Sequence, residues 1–231
     1  MATAGTVLSE SLTTEEVIDL IFKDPAVKYG LFEFEDLRKK PRDILNIYPK
    51  KSESGRFKGE VRYYLKCFKR NTDIQVYSAK KSAPEEIVRQ LWLYKLHHVY
   101  HYPWDYIEVE YPVTFGTITA DKAADIYVFQ QDGKTAKIVL EVKRPDRKDG
   151  LAQLKSYLNA EGSPVGVWSN GDDRVILYRP YPREFDDTLT DIPAYGQDPT
   201  DVLKAKLTLA DLTWIIHDCC SQKVKDALKG A

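Results

Sequence analysis

Cysteine is scarce in this sequence, and its placement excludes two kinds of chemistry. Cys67, Cys219 and Cys220 show no metal-ligand spacing, and an odd number with one adjacent pair does not build a disulfide framework. Three cysteines also fall short of the four that an iron–sulfur cluster needs. The expected setting is reducing and cytoplasmic. No apolar run is long enough to cross a bilayer, and Met1 to Glu10 lack the basic and apolar regions of a signal peptide, so neither membrane insertion nor export is expected. There is no Gly-rich phosphate loop, helicase motif or methyltransferase signature, so ATP-driven motion or methyl transfer would have to come from another chain or a continuation of this one. An excess of one charge is missing too. Lys and Arg number 34 against 35 Asp and Glu, so affinity for a polyanion must come from a local patch.

What the 231 residues do contain, with 43% hydrophobic, is enough apolar material for one substantial core with decorations. Residues 1–80 read as an N-terminal accessory region. Thr13-Thr14-Glu15-Glu16 opens a short helix through Val17, Ile18, Leu20, Ile21 and Phe22; Lys39 to Arg70 is basic and interrupted, and Val61 to Phe68 fits a helix or a strand. Residues 81–180 are better ordered. Ser82-Ala83-Pro84-Glu85-Glu86 favours a helix N-terminus and a helix to about His98. Ile107 to Glu110, Ala124 to Phe129 and Ala136 to Lys143 then alternate as strands, the last two joined by Asp132-Gly133. That order predicts an antiparallel meander. Pro145 ends the third strand, Gly150 precedes a helix with Leu151, Leu154 and Leu158 on one stripe, and Val165 to Trp168 and Arg174 to Tyr178 form strands around Asn170-Gly171. Residues 181–231 are a proline-rich connection, with Pro182, Pro193 and Pro199, leading to a C-terminal helix with Leu209, Leu212, Ile215 and Ile216. The predicted fold is α/β: a mixed sheet of four or five strands flanked by helices, with N- and C-terminal helical additions. No internal repeat or low-complexity tract interrupts it.

Alternation in the third strand places Lys137, Val139, Glu141 and Lys143 on one face and Ile138, Leu140 and Val142 on the other. A Glu-x-Lys on an exposed strand is ordinarily a solvated pair. Its meaning changes with Asp125, which heads the preceding strand and can sit beside Glu141 across the hairpin. Two facing carboxylates repel unless a metal ion or a Lys lies between them. Hard oxygen ligands suit Mg²⁺, with Lys143 placed to orient or help deprotonate an attacking water. Gln153 and Tyr157 share one face of the next helix at i and i+4. Lys143, Arg144, Arg147 and Lys148, with Lys155, form a cationic run beside the acids that could neutralise phosphates.

These motifs, in this order, resemble the N-terminal endonuclease domain of type I restriction enzyme R subunits, within the PD-(D/E)xK nuclease superfamily. The residues that carry the resemblance are Pro84 to Gln90, Glu108 to Val113, Ala124-Asp125-Ile126, Leu140-Glu141-Val142-Lys143, Gln153 to Leu158, and Asn170-Gly171, within Pro84 to Tyr178. The resemblance implies a restriction-endonuclease-like core and magnesium-dependent DNA endonuclease activity, with Mn²⁺ able to substitute. Asp125, Glu141 and the Val142 carbonyl would be metal ligands, Lys143 the catalytic lysine, and Gln153 with Tyr157 a supporting motif. It also implies a helical glutamate near the metal. Helical geometry places Glu85 slightly nearer than Glu86 to the apolar face of Ile87, Val88, Leu91 and Trp92, and leaves both open. DNA would be the substrate, with specificity, methyltransferase or translocase subunits of a restriction system as candidate partners. His101-Tyr102-Pro103 departs from the pattern, since such domains usually have a glycine in that turn.

The rival from a different class is a non-catalytic nucleic-acid-binding or assembly module on the same scaffold. The intact Asp125, Glu141 and Lys143 set argues against it. His97, His98 and His101 lack a carboxylate partner at suitable spacing and read as surface residues.

Overall fold

The computed structural model describes residues 11–22, 30–53, 58–115, 118–145 and 147–205. Helix α1 (Thr14–Phe22) and the single turn α2 (Pro41–Ile44) precede strands β1 (Ile47–Lys51), β2 (Val61–Lys66), β3 (Asp73–Ser78) and β4 (Lys81–Ser82). Helix α3 (Pro84–His98) follows, then β5 (Ile107–Phe115), β6 (Ile118–Phe129), β7 (Ala136–Val142), α4 (Leu151–Glu161), β8 (Val165–Ser169) and β9 (Arg174–Tyr178). The strands form two sheets, one ordered β1-β2-β3-β4 and one β5-β6-β7-β8-β9.

The larger sheet is mixed because its connections dictate it. β5 pairs antiparallel with β6 and β6 with β7, each following the other closely in the chain; α4 crosses over between β7 and β8, which are parallel. Both faces of β7 are covered, and all seven of its residues are buried. Ile138, Leu140 and Val142 pack with Ile87 and Leu91 of α3, while Val139 packs with Leu154 and Leu158 of α4. The hairpin from β8 to β9 turns at Gly171, whose φ of 89° suits glycine. A Cβ there would also stand 2.8 Å from Val88, so the turn lies tightly against α3.

The α/β class is as the sequence predicts, but the N-terminal addition is mainly a four-stranded antiparallel sheet instead of helical. In β2, Tyr63 and Leu65 point into the core between outward Arg62, Tyr64 and Lys66, so the stretch from Val61 is strand as far as Lys66, with a turn beginning at Phe68. The accessory region shares one core with the rest: Phe34, Ile47, Leu65 and Val76 join Leu91, Ile126 and Val128. The proline-rich passage packs on that core as well, through buried Leu189 and Ile192 and a hydrogen bond from the Tyr102 hydroxyl to the Pro193 carbonyl at 2.9 Å. His101 has a φ of 62°, so the turn lacking the expected glycine still takes the left-handed conformation glycine favours. Residues 199–205 are helical, and the expected helix carrying Leu209, Leu212, Ile215 and Ile216 lies outside the described residues.

Candidate active site

Register across three neighbouring strands lines up three carboxylates. The pairs Val109↔Ile126 and Tyr111↔Ala124 bracket the level at which Glu110 of β5 faces Asp125 of β6, and Ile126↔Leu140 places Glu141 of β7 one step further along the same row. Here the ladder gives way to side chains. Asp125 Oδ2 accepts the Val142 backbone N–H at 2.8 Å, which ties the two strands together beside Glu141. Glu110 takes a φ of 53°, unusual for a non-glycine residue and common where a site holds its backbone in place.

Glu141 is 2% exposed. Its Oε1 accepts from the Lys143 ammonium and from Gln153 Nε2, the latter at 3.0 Å, and Gln153 Nε2 also donates to the Tyr157 hydroxyl at 2.7 Å. The sequence-predicted Asp125, Glu141, Lys143, Gln153 and Tyr157 are therefore brought together. Glu141 Oε2 is buried with no hydrogen-bond partner. Burial, and then the negative charge of Asp125, push the Glu141 carboxyl up to about 7 against the opposing pull of Lys143 and Arg89.

Lys143 is held by its surroundings. Its backbone N–H donates to the Ser169 carbonyl at 2.8 Å, and Gly150 at the start of α4 has a φ of 106° that favours glycine and brings its backbone close to the Lys143 side chain. The Trp168 indole donates to the Asp149 carbonyl at 2.7 Å and fixes the loop between them. On the other side, the accessory region braces the β8 to β9 turn. Glu33 donates its backbone N–H to Gly171, and its carboxylate accepts from the Ser169 hydroxyl. Burial pushes the Glu33 carboxyl up to about 7.

Arg89 of α3, which sequence reasoning passed over, is central. Its side chain is 9% exposed and pairs with Glu86 at 2.6 Å, Glu110 at 3.3 Å and Asp125. Of the two helical glutamates, Glu86 shares this guanidinium with Asp125, whereas Glu85 faces Arg144 at 3.8 Å. Ile87 through Leu93 are all buried, so α3 has no single apolar side from which the expected preference for Glu85 could be measured. Neither Arg89 nor Glu110 stands out in sequence. Each looks like an ordinary surface charge until the tertiary fold places it.

The cationic run is less free than its composition suggests. Arg147 makes a two-pronged pair with Asp149 at 2.7 Å, pulling the Asp149 carboxyl down to about 2. Arg144 is directed at Glu85, Lys155 lies 5.4 Å from the Phe185 ring centre, and Lys148 is exposed.

Two adjacent carboxylates with one buried, unpartnered oxygen make a donor set that suits a hard divalent cation. Both Asp125 oxygens are engaged by Arg89 and Val142, and among the described residues no three of His, Cys, Asp and Glu form a ready ligand cluster. The fit therefore rests on Glu141, Asp125 and backbone oxygen, with Arg89 supplying positive charge where a cation would otherwise be needed.

A mixed sheet between two helices, with an acid pair and a lysine at the end of a central strand, defines the class of domain. Residues 84–193, just under half of the chain, match the family described as type I restriction enzyme R protein N terminus. This segment is similar to that N-terminal domain over those residues. No curated protein matched the chain. Among the described residues no helix is long and apolar enough to cross a membrane.

Proposed function

We propose that this chain is a magnesium-dependent DNA endonuclease of the PD-(D/E)xK kind, acting in a restriction or defence system in the cytoplasm. The observation that carries the reading is the convergence of Asp125, Glu141 and Lys143, with the Glu141 Oε2 buried and unpartnered.

Asp125 and Glu141, with the Val142 carbonyl, would hold Mg²⁺ or Mn²⁺, which when bound supplies a more acidic water and positive charge to the phosphate. Gln153 fixes the Glu141 carboxylate, and Tyr157 fixes Gln153, so the ligand is oriented before substrate arrives. The Lys143 ammonium faces the same carboxylate and can orient the water that attacks phosphorus while offsetting phosphate charge. Lys148 and Lys155 are the best placed of the cationic run to meet the DNA backbone, with Arg144 and Arg147 joining once released from Glu85 and Asp149. Specificity, methyltransferase or translocase subunits are the partners that such a domain would serve.

The test is incubation of the purified protein with plasmid and with linear DNA, in Mg²⁺ and in EDTA, beside Glu141→Gln. Nicking or linearisation by wild type in Mg²⁺ alone, lost in the variant, is expected. Equal inactivity of both, with DNA still bound, would favour a non-catalytic module.

A further inference from the structure

The accessory sheet has one face turned away from the core, and its composition is unusual. Residues 38–81 hold 14 Lys and Arg against four Asp and Glu, a net of +10 in a chain whose total is −1. The balanced total hides a strongly basic segment on an acidic remainder, and that segment carries β1 to β4.

Register shows what this face presents. Ile47↔Leu65 lies on the core side, so the next pair, Tyr48↔Tyr64, lies on the opposite side, followed by Lys50↔Arg62. Tyr64 also pairs with Gln75, and Lys66 with Asp73. Two tyrosines thus stand directly cross-strand on the outer face, each partly exposed. The Lys50 ammonium lies 5.4 Å from the Tyr64 ring centre and 5.7 Å from that of Tyr48. Lys50 also pairs with Asp73, whereas Lys66 is exposed on the same face.

The geometry points to this outer face as a binding platform for single-stranded DNA, separate from the site at Asp125 and Glu141. Aromatic rings flat on an antiparallel sheet offer stacking surfaces to unpaired bases, and neighbouring cations follow the phosphates. A duplex keeps its bases stacked on one another and could use only the cations. The tyrosine pair therefore favours an unpaired strand, and the net positive charge of the segment supplies the complementarity. The choice of DNA rests on the nuclease reading; the platform itself does not.

The experiment is fluorescence anisotropy of labelled oligodeoxythymidylate and of a hairpin duplex with the full chain in EDTA, where cleavage plays no part. Tyr64→Ala should weaken single-strand binding by about five- to a hundredfold, Tyr64→Phe should retain it, and the duplex should change little. Lys66→Glu, at an exposed position, should lower the log–log salt slope for the single strand by roughly 0.7 or more while leaving the thermal melt unchanged. Unaltered affinity in both Tyr64→Ala and Lys66→Glu would overturn the platform. So would equal losses for single strand and duplex in Tyr64→Ala. Because this platform is read by binding in EDTA and the nuclease reading by cleavage in Mg²⁺, failure of one remains distinguishable from failure of the other.

Discussion

The Arg89 guanidinium on α3 meets the Asp125 carboxylate on β6, whose other oxygen is already bound to the Val142 amide on β7. One acid side chain thus joins a helix to two strands at the point where the site forms. Because Arg89 also holds Glu86 and Glu110, the three carboxylates share a single internal cation.

Arg89→Met should therefore leave the partly buried Glu86 and Asp125 without their cation, while Glu110 keeps Arg70 at 2.8 Å. In EDTA the expected loss is about 3–5 kcal/mol of folding stability, the usual consequence of removing one partner from a buried ion cluster. Mg²⁺ should restore part of it by binding the folded state. Urea denaturation with and without Mg²⁺ measures both. A loss that Mg²⁺ does not reduce would argue that no cation is accepted among these acids.

The carboxylates and the lysine should separate in a metal-binding assay. Asp125→Asn or Glu141→Gln removes a negative oxygen ligand, so calorimetric Mg²⁺ or Mn²⁺ affinity and nicking should fall together. Lys143→Ala should keep or tighten metal binding while nicking drops by about a hundredfold or more. Wild-type nicking by that variant would remove Lys143 from the mechanism.

Salt dependence of duplex binding should discriminate within the cationic run. Each lost phosphate contact lowers the slope by roughly 0.9. Lys148→Glu and Lys155→Glu should each approach that change, whereas Arg147→Gln should do less because Asp149 already occupies the guanidinium. Equal effects at all three positions would mean that Arg147 leaves Asp149 when DNA binds.

Glu33 predicts a pH effect on stability. Its carboxyl is raised to about 7 by burial, above the ordinary 4.5, so the folded state prefers the protonated form. That preference favours folding fully below about pH 4.5 and is lost progressively as pH rises to 7 and beyond. Glu33→Gln keeps an acceptor for Ser169 without a charge, so it should stabilise the protein at pH 8 by at most about 3 kcal/mol, with the gain fading toward pH 4.5. Denaturation at both pH values tests it. A gain independent of pH would place its origin outside the carboxyl's ionisation.

Strand and helix identity from Pro84 to Tyr178 were legible in the sequence because each element carries a local signal of its own. Alternation through Ala136 to Val142, the turn at Asp132-Gly133 and the Pro84 helix start are local signals, and they also put Glu141 and Lys143 on one strand face with Asp125 within reach across the hairpin. The amino-acid order by itself determined the α/β core and the candidate acid and lysine set. Only tertiary structure decided the rest. Arg89 became the shared partner of three acids because α3 packs across the sheet, and Glu86 rather than Glu85 joined it because a helix buried on most sides has no apolar face from which to measure. Glu110 entered the row through β5 register, which is set by long-range pairing. The accessory region became a sheet, since the inward Tyr63 and Leu65 are distinguishable from the outward Arg62, Tyr64 and Lys66 only once a core exists for them to face.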